Sequence, residues 1–232
     1  MLEVRDLYAG YYRDLPILRG VNLTAPARRV TAVLGANGVG KSTLLKTIFG
    51  LLRPERGSIT LEGRSLVGVP PHKMVHLGLS YIPQDKGLFK EMTVEENLAM
   101  GAWPYRRDRR RLRAKLEENY ERFPALKEKR HQKAGQLSGG QQRMVEVAKA
   151  LMMDPKVILV DEPSAGLSKL LTEEVYRLLE QLRAEGIALL LVDQDIRHAL
   201  RVADHVYVLE LGRNLFDAPA SEFKDVKQAF WV

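Results

Sequence analysis

The chain has no cysteine among its 232 residues, which excludes disulfide frameworks and thiolate metal sites and leaves the redox compartment open. Long apolar runs are missing too. The longest aliphatic stretches, such as Ile187 to Val192, are far too short to span a bilayer, and Met1-Leu2-Glu3-Val4-Arg5-Asp6 lacks the basic start and apolar stretch of a secretory signal. A soluble, cytoplasmic protein is therefore expected. There is no internal repeat, no low-complexity linker and no Asn-Lys-x-Asp motif for reading guanine. The length fits one sizeable α/β domain, or one domain with a compact insertion, able to bury a core without staples.

The formal net charge of +7 would favour nucleotide, nucleic acid, an anionic membrane or an acidic partner, and taken alone it chooses none of them. Much of the excess lies in Arg106-Arg107-Asp108-Arg109-Arg110-Arg111-Leu112-Arg113, followed by Lys115 and then Glu117, Glu118 and Glu121. A solvated helix face with i,i+4 pairs is the first reading, and contact with lipid phosphates or a partner the second. Nucleic acid is disfavoured, because only Trp103 and Tyr105, at the edge of the patch, offer stacking faces.

Short apolar segments recur with helical stretches between them. Val30–Leu34, Ser58–Leu61, Leu79–Ile82, Val157–Val160, Ile187–Val192 and Val206–Leu209 read as strands, several of them apolar on both faces, as buried and mostly parallel strands are. Leu171, Val175, Leu178 and Leu182 repeat at helical spacing, completing a three-layer α/β pattern. Leu2–Leu7 and Val21–Thr24 suggest a small N-terminal antiparallel β subdomain. From about Lys86 to Gln136 strand signals vanish, and Thr93-Val94-Glu95-Glu96 reads as a capping box opening a helix toward Met100. The expected organisation is a single domain over 1–232, with α/β core from about 1–85 and 154–232 and a helical subdomain from about 86–153. A final amphipathic helix is expected over Pro219 to Val232.

Gly35-Ala36-Asn37-Gly38-Val39-Gly40-Lys41-Ser42 fits the pattern G-x-x-x-x-G-K-[ST] and lies between an apolar strand and a helix-like stretch, Lys41 to Phe49. Glycines there let backbone N–H groups turn around phosphate oxygens, while the helix aims the positive end of its dipole at the same place. Lys41 is placed to reach the β- and γ-phosphates, and the Ser42 hydroxyl, beside Thr43, suits Mg²⁺. The strand Val157–Val160 ends in Asp161 and Glu162, whose side chains point to opposite faces and so take different parts. Asp161 is assigned to the metal and Glu162 to general base or water polarisation at the γ-phosphate. Leu137-Ser138-Gly139-Gly140-Gln141 offers a hydroxyl, two small residues and the N-terminus of a helix running from about Gly140 to Met152, again suited to an anion.

In this order these motifs resemble the ATP-binding cassette (ABC) family over essentially the whole chain. The resemblance implies a P-loop NTPase core with a helical insertion carrying the signature Ser138–Gln141, which binds the ATP held by a second subunit. It places Tyr12, rather than Tyr11, against adenine, and Gln84 at Mg²⁺ and the attacking water. Gln194 stands where many relatives have histidine, and Ser168 where many have aspartate. Glutamine can hydrogen-bond a γ-phosphate but carries no positive charge. With Leu88 to Leu98 and Ala203 to Glu210, these departures resemble the LivF-type cassettes of branched-chain amino acid importers, a pattern shared by urea and amide importers. The implied protein is a Mg²⁺-dependent ATPase, peripheral on the inner face of the membrane. Its implied partners are two permease subunits, contacted near Gly87 to Val94, a second cassette (a different chain in the cell, a homodimer in isolation) and, indirectly, a substrate-binding protein. A non-transport ABC ATPase and a nucleotide sensor without turnover are the rival readings.

Overall fold

A computed structural model describes residues 1–84 and 87–223. The chain opens with β1 (Leu2–Ala9) and β2 (Leu18–Ala25), which pair antiparallel. It then enters β3 (Val30–Leu34), turns through a glycine loop, and forms α1 (Lys41–Ile48). β4 (Arg56–Leu61) pairs antiparallel with β1, and the short β5 (Arg64–Ser65) extends that sheet. One helical turn, α2 (Pro71–Met74), leads to β6 (Leu79–Ile82). Four helices follow: α3 (Val94–Gly101), α4 (Arg109–Arg122), α5 (Pro124–Glu128) and α6 (Gly139–Leu151). The chain then alternates through β7 (Val157–Asp161), α7 (Lys169–Ala184), β8 (Ala188–Val192) and α8 (Ile196–Val202), ending in the hairpin β9 (His205–Glu210) and β10 (Arg213–Pro219).

The sheets have strand orders β2-β1-β4-β5 and β10-β9-β3-β8-β7-β6. Strands β9, β3, β8, β7 and β6 of the second run parallel, with β10 antiparallel at its edge. The two-residue period of a strand sorts its side chains between two cores. In β8, Leu189 and Leu191 join a cluster with Val145 and Ala148 of α6 and Tyr176 and Leu179 of α7. Leu190 and Val192, on the opposite face, join Leu44, Leu45 and Ile48 of α1 and Leu2 and Val4 of β1. Each fully buried aliphatic contributes about 1.5–3 kcal/mol, so both faces of the sheet are clamped and its edges are left to carry chemistry.

The expected boundaries of β3 and β6 coincide with the observed ones. Thr93 caps α3: its Oγ1 accepts from Glu96 N at 3.2 Å, and Glu96 Oε2 accepts from Thr93 N at 2.7 Å. Two expectations are corrected. Ser58–Leu61, read with the parallel strands, belongs to antiparallel β4, where only alternate residues are buried because the other face is open. Pro219 ends strand β10 rather than starting a helix. Residues 224–232 of that expected helix lie outside the described residues.

Candidate nucleotide site

The parallel order β3-β8-β7-β6 brings four strand ends side by side, at the carboxyl edge where open α/β sheets bind ligands. The glycine loop follows β3, Gln84 follows β6, Asp161 and Glu162 close β7, and Gln194 follows β8. Residues separated by more than 150 positions in sequence thus meet at one edge.

Two glycines explain the loop. Gly35 has φ +150°, and a Cβ there would lie 2.4 Å from the Leu209 carbonyl oxygen. Gly40, at φ +110°, caps α1 without a side chain bonded to the first turn. The N–H groups that open α1 therefore have no side-chain acceptor among the described residues, which leaves them available to an anion. Lys41 is 4 % exposed, and its Nζ donates to Gly35 O at 2.8 Å and Ala36 O at 3.0 Å. Burial pushes its ammonium pKa down, opposed by the charges of Glu162, Asp161 and Asp193. A bound polyphosphate would act in the same sense as those acids, favouring the charged lysine.

Ser42 Oγ donates to Asp161 Oδ1 at 2.9 Å, and Tyr81 OH donates to Asp161 Oδ2 at 2.9 Å. A hydroxyl and a carboxylate in contact, without an all-protein cage, fit Mg²⁺, which takes one or two protein oxygens and completes its shell with phosphate and water. Among the described residues no cluster of three or more His, Cys, Asp or Glu side chains could hold a metal by itself.

Glu162 is 6 % exposed and sits at φ +44°, a left-handed conformation that is uncommon for a non-glycine residue and concentrates at functional positions. Its Oε2 accepts from Gln84 Nε2 at 2.8 Å and Gln194 Nε2 at 2.5 Å. Two glutamines from different loops thus hold one oxygen. Both amides bond Oε2 and leave Oε1 to other partners, and the charge of Glu162 is felt by the Lys41 ammonium. The arrangement can orient a water and take its proton next to a phosphate.

Tyr12 is 75 % exposed in the loop between β1 and β2, free for a planar ligand. Tyr11 is engaged differently: its hydroxyl accepts from Lys46 Nζ at 3.1 Å, and that ammonium also lies over its ring. Ser138 opens α6 through a reciprocal capping box with Gln141. Gly140 is small for a reason of packing, since a Cβ there would lie 2.4 Å from Leu171 Cδ2 of α7. Among the described residues Ser138 and Gln141 bond to each other and not to the glycine loop of their own chain, so the signature is not brought together with Lys41. Ser168, in the aspartate position, caps α7.

Sequence reasoning missed Tyr81 and Asp193. Tyr81 read as one more strand aromatic, yet burial and the neighbouring Asp161 push its phenol pKa up, so it remains a donor to that carboxylate. Asp193 does not stand out in the sequence beside its neighbour Gln194. Its signal was an acid placed directly after a wholly apolar strand, at the same edge as Asp161.

This fold and site define a P-loop nucleotide hydrolase. Residues 18–165 match the ABC transporter family, and the chain belongs to that family of ATP-binding, ATP-hydrolysing transporter subunits. It is 40 % identical over 208 residues to the "High-affinity branched-chain amino acid transport ATP-binding protein BraG" of Pseudomonas aeruginosa, covering 90 % of this chain and 88 % of that one. It is 39 % identical over 223 residues to the "Probable branched-chain amino acid transport ATP-binding protein LivF" of Archaeoglobus fulgidus, covering 96 % and 93 %. The "Lipopolysaccharide export system ATP-binding protein LptB" of Acidithiobacillus ferridurans is 34 % identical over 97 % of this chain and 92 % of its own. Among solved structures, a nucleotide-free ATP-binding cassette from an ABC transporter superposes with a TM-score of 0.88 at 30 % identity, covering 98 % of this chain and 95 % of that one.

Proposed function

We propose that this ABC ATPase powers import of branched-chain amino acids. The observation that carries the chemical half of the reading is the carboxylate of Glu162 gripped by Gln84 and Gln194 beside the glycine loop. The cargo rests on likeness to BraG and LivF. LptB, at 34 % identity, keeps other cargoes as the second reading.

In this account the N–H groups of Gly35, Ala36, Asn37, Gly38, Gly40, Lys41, Ser42 and Thr43 cradle the phosphates, and Tyr12 stacks on adenine. Lys41 leaves the carbonyls of Gly35 and Ala36 for the β- and γ-phosphates. Ser42, Asp161 and Gln84 would hold Mg²⁺, which would supply positive charge beside the phosphates. Glu162 orients the attacking water and takes its proton, while Gln194 moves between Glu162 and the γ-phosphate as donor. Ser138, Gly139, Gly140 and Gln141 reach the ATP of a second cassette, a different chain in the cell, so that ATP closes the pair and hydrolysis releases it. The domain comprises a core of about 1–85 and 154–232 and a helical subdomain of about 86–153.

Two permease subunits, served by a substrate-binding protein, complete the assembly, with this chain peripheral on the cytoplasmic face of the membrane. Among the described residues no helix is long and apolar enough to cross a membrane. A groove of about 830 Å³ is lined by Phe49, Leu51, Pro83, Gly87, Met100 and Trp103, and it is suited to an apolar permease segment next to Gly87–Val94. Asn97 stiffens that segment, binding Phe89 N and O and Thr93 O. The test is mass spectrometry of proteins retained when the tagged chain is drawn from gently solubilised membranes. Polytopic permease subunits with a second cassette are expected. Recovery of only ribosomal, DNA-associated or other soluble proteins would overturn the transport reading.

A further inference from the structure

Asp193 lies directly after β8 and is 2 % exposed. Four donors converge on its carboxylate. Tyr176 OH donates at 2.6 Å, Ser164 Oγ lies 3.2 Å from both oxygens, and the backbone N–H groups of Gln194 and Asp195 donate at 2.7 and 2.9 Å. The donors come from three segments: the loop two residues beyond Glu162, the middle of α7, and the turn that carries Gln194.

A buried carboxylate is costly unless its oxygens are satisfied, so this one needs a reason. Starting α8 is not the reason, because Asp195 already caps that helix, accepting from His198 N at 3.2 Å. What the Asp193 bonds do is fold the backbone at Gln194. The Gln194 side chain is exposed and long, and left to itself it would sample several rotamers. With its backbone pinned at two consecutive N–H groups, its amide returns to Glu162. Tyr176 is the firmest element of the device: it is fully buried, stacks on the His198 ring at 5.2 Å, and burial together with the adjacent carboxylate keeps its phenol protonated.

We infer that Asp193, held by Tyr176, is a positioning residue for hydrolysis: it turns the chain at Gln194 so that the amide reaches Glu162. Through Ser164 it also keys that turn to the segment leaving Glu162, so a shift of either loop is felt by the other. The inference rests on the proposed roles of Glu162 and Gln194.

The test is steady-state ATP hydrolysis by Tyr176→Phe and Asp193→Asn, each made alone and with Gln194→Ala, with melting temperatures recorded to confirm folding. Tyr176→Phe removes one hydroxyl and keeps the ring, so it reports even where Asp193→Asn folds poorly. Losing one bond to a charged group predicts a fall in kcat of roughly five- to tenfold with KM for ATP unchanged. In the Gln194→Ala background the same change should cost less than about twofold, because its route of action is gone. Equal penalties in both backgrounds would overturn the inference, as would a change confined to KM, an unchanged kcat, or a wild-type rate in Gln194→Ala. Glu162→Gln, run in parallel, tests the underlying site. A wild-type rate there would remove the roles of the site and the inference with them, whereas its inactivity alongside equal Tyr176→Phe penalties would remove the inference alone.

Discussion

Replacing Glu162 with glutamine exchanges one heavy atom and should separate binding from hydrolysis. The side chain keeps its length, and its remaining carbonyl oxygen can still accept from Gln84 and Gln194, which meet a single oxygen in the wild type. Each bond loses its charge assistance, costing about 0.5–1 kcal/mol apiece. Removing one negative charge from a site that also holds Asp161 and Asp193, both 2 % exposed, offsets part of that loss. The net change in melting temperature should stay within about 4 °C. Hydrolysis should suffer far more, since an amide cannot take a proton from water. General-base contributions of roughly 10²–10⁴ translate to about 3–5 kcal/mol of lost transition-state stabilisation. The nucleotide contacts proposed for Lys41, Ser42 and the glycine loop do not involve the exchanged atom, so affinity for ATP should hold within about twofold. Single-turnover hydrolysis of radiolabelled ATP, with filter-bound nucleotide counted in parallel, reads both quantities. A variant retaining more than about a tenth of the wild-type rate would refute Glu162 as the base.

Lys41→Ala should show the opposite pattern, weakening ATP binding by at least roughly tenfold in a fluorescent-nucleotide titration. Gly35→Ala should lower the melting temperature by roughly 4–8 °C, because its Cβ would meet the Leu209 carbonyl oxygen at 2.4 Å in a strained backbone conformation. Tyr12→Ala should raise the ATP dissociation constant at least roughly fivefold by losing a stacking face, while Tyr11→Ala, tied to Lys46, should change it less than about twofold. His198 supplies a pH test. Burial works to lower its pKa, but bonds to Asp195 at 2.7 Å and Glu173 at 3.0 Å outweigh that and raise it. Arg201, paired with Glu173, and Arg197 are the cations nearby. A raised folded pKa stabilises fully below the unfolded value of about 6.5 and is lost as pH climbs through the folded one. The melting-temperature gap between wild type and His198→Gln should therefore be larger at acid pH than at alkaline pH.

The sequence made β3, the glycine loop and α1 readable because a buried parallel strand, a phosphate loop and a helix start each impose their own residue types within a dozen positions. The capping box at Thr93 was readable for the same local reason. β10 was not, because its residues are largely exposed at the sheet edge and carry little apolar signal. Its mark was the turn before it, where Leu211 and Gly212 both have positive φ, as a two-residue hairpin requires. The pairing of β4 with β1 rather than with the parallel strands is a long-range choice that no local pattern states. Within the site, the charged and amide groups were visible one by one. The phenols of Tyr81 and Tyr176 were hidden because a tyrosine in a strand or helix reads as packing, and only the fold brings each hydroxyl to its carboxylate.

Hydrolysis by this chain is proposed to drive branched-chain amino acids across a membrane. The most direct measurement is ATP-dependent uptake of labelled leucine, isoleucine and valine into proteoliposomes carrying this chain with its co-purified permease and second cassette. The substrate-binding protein is supplied on the outer side and ATP on the side of the cassettes. Uptake is expected with the wild-type chain, and its loss with Glu162→Gln. A complex that hydrolyses ATP yet moves none of the three amino acids would contradict the proposal.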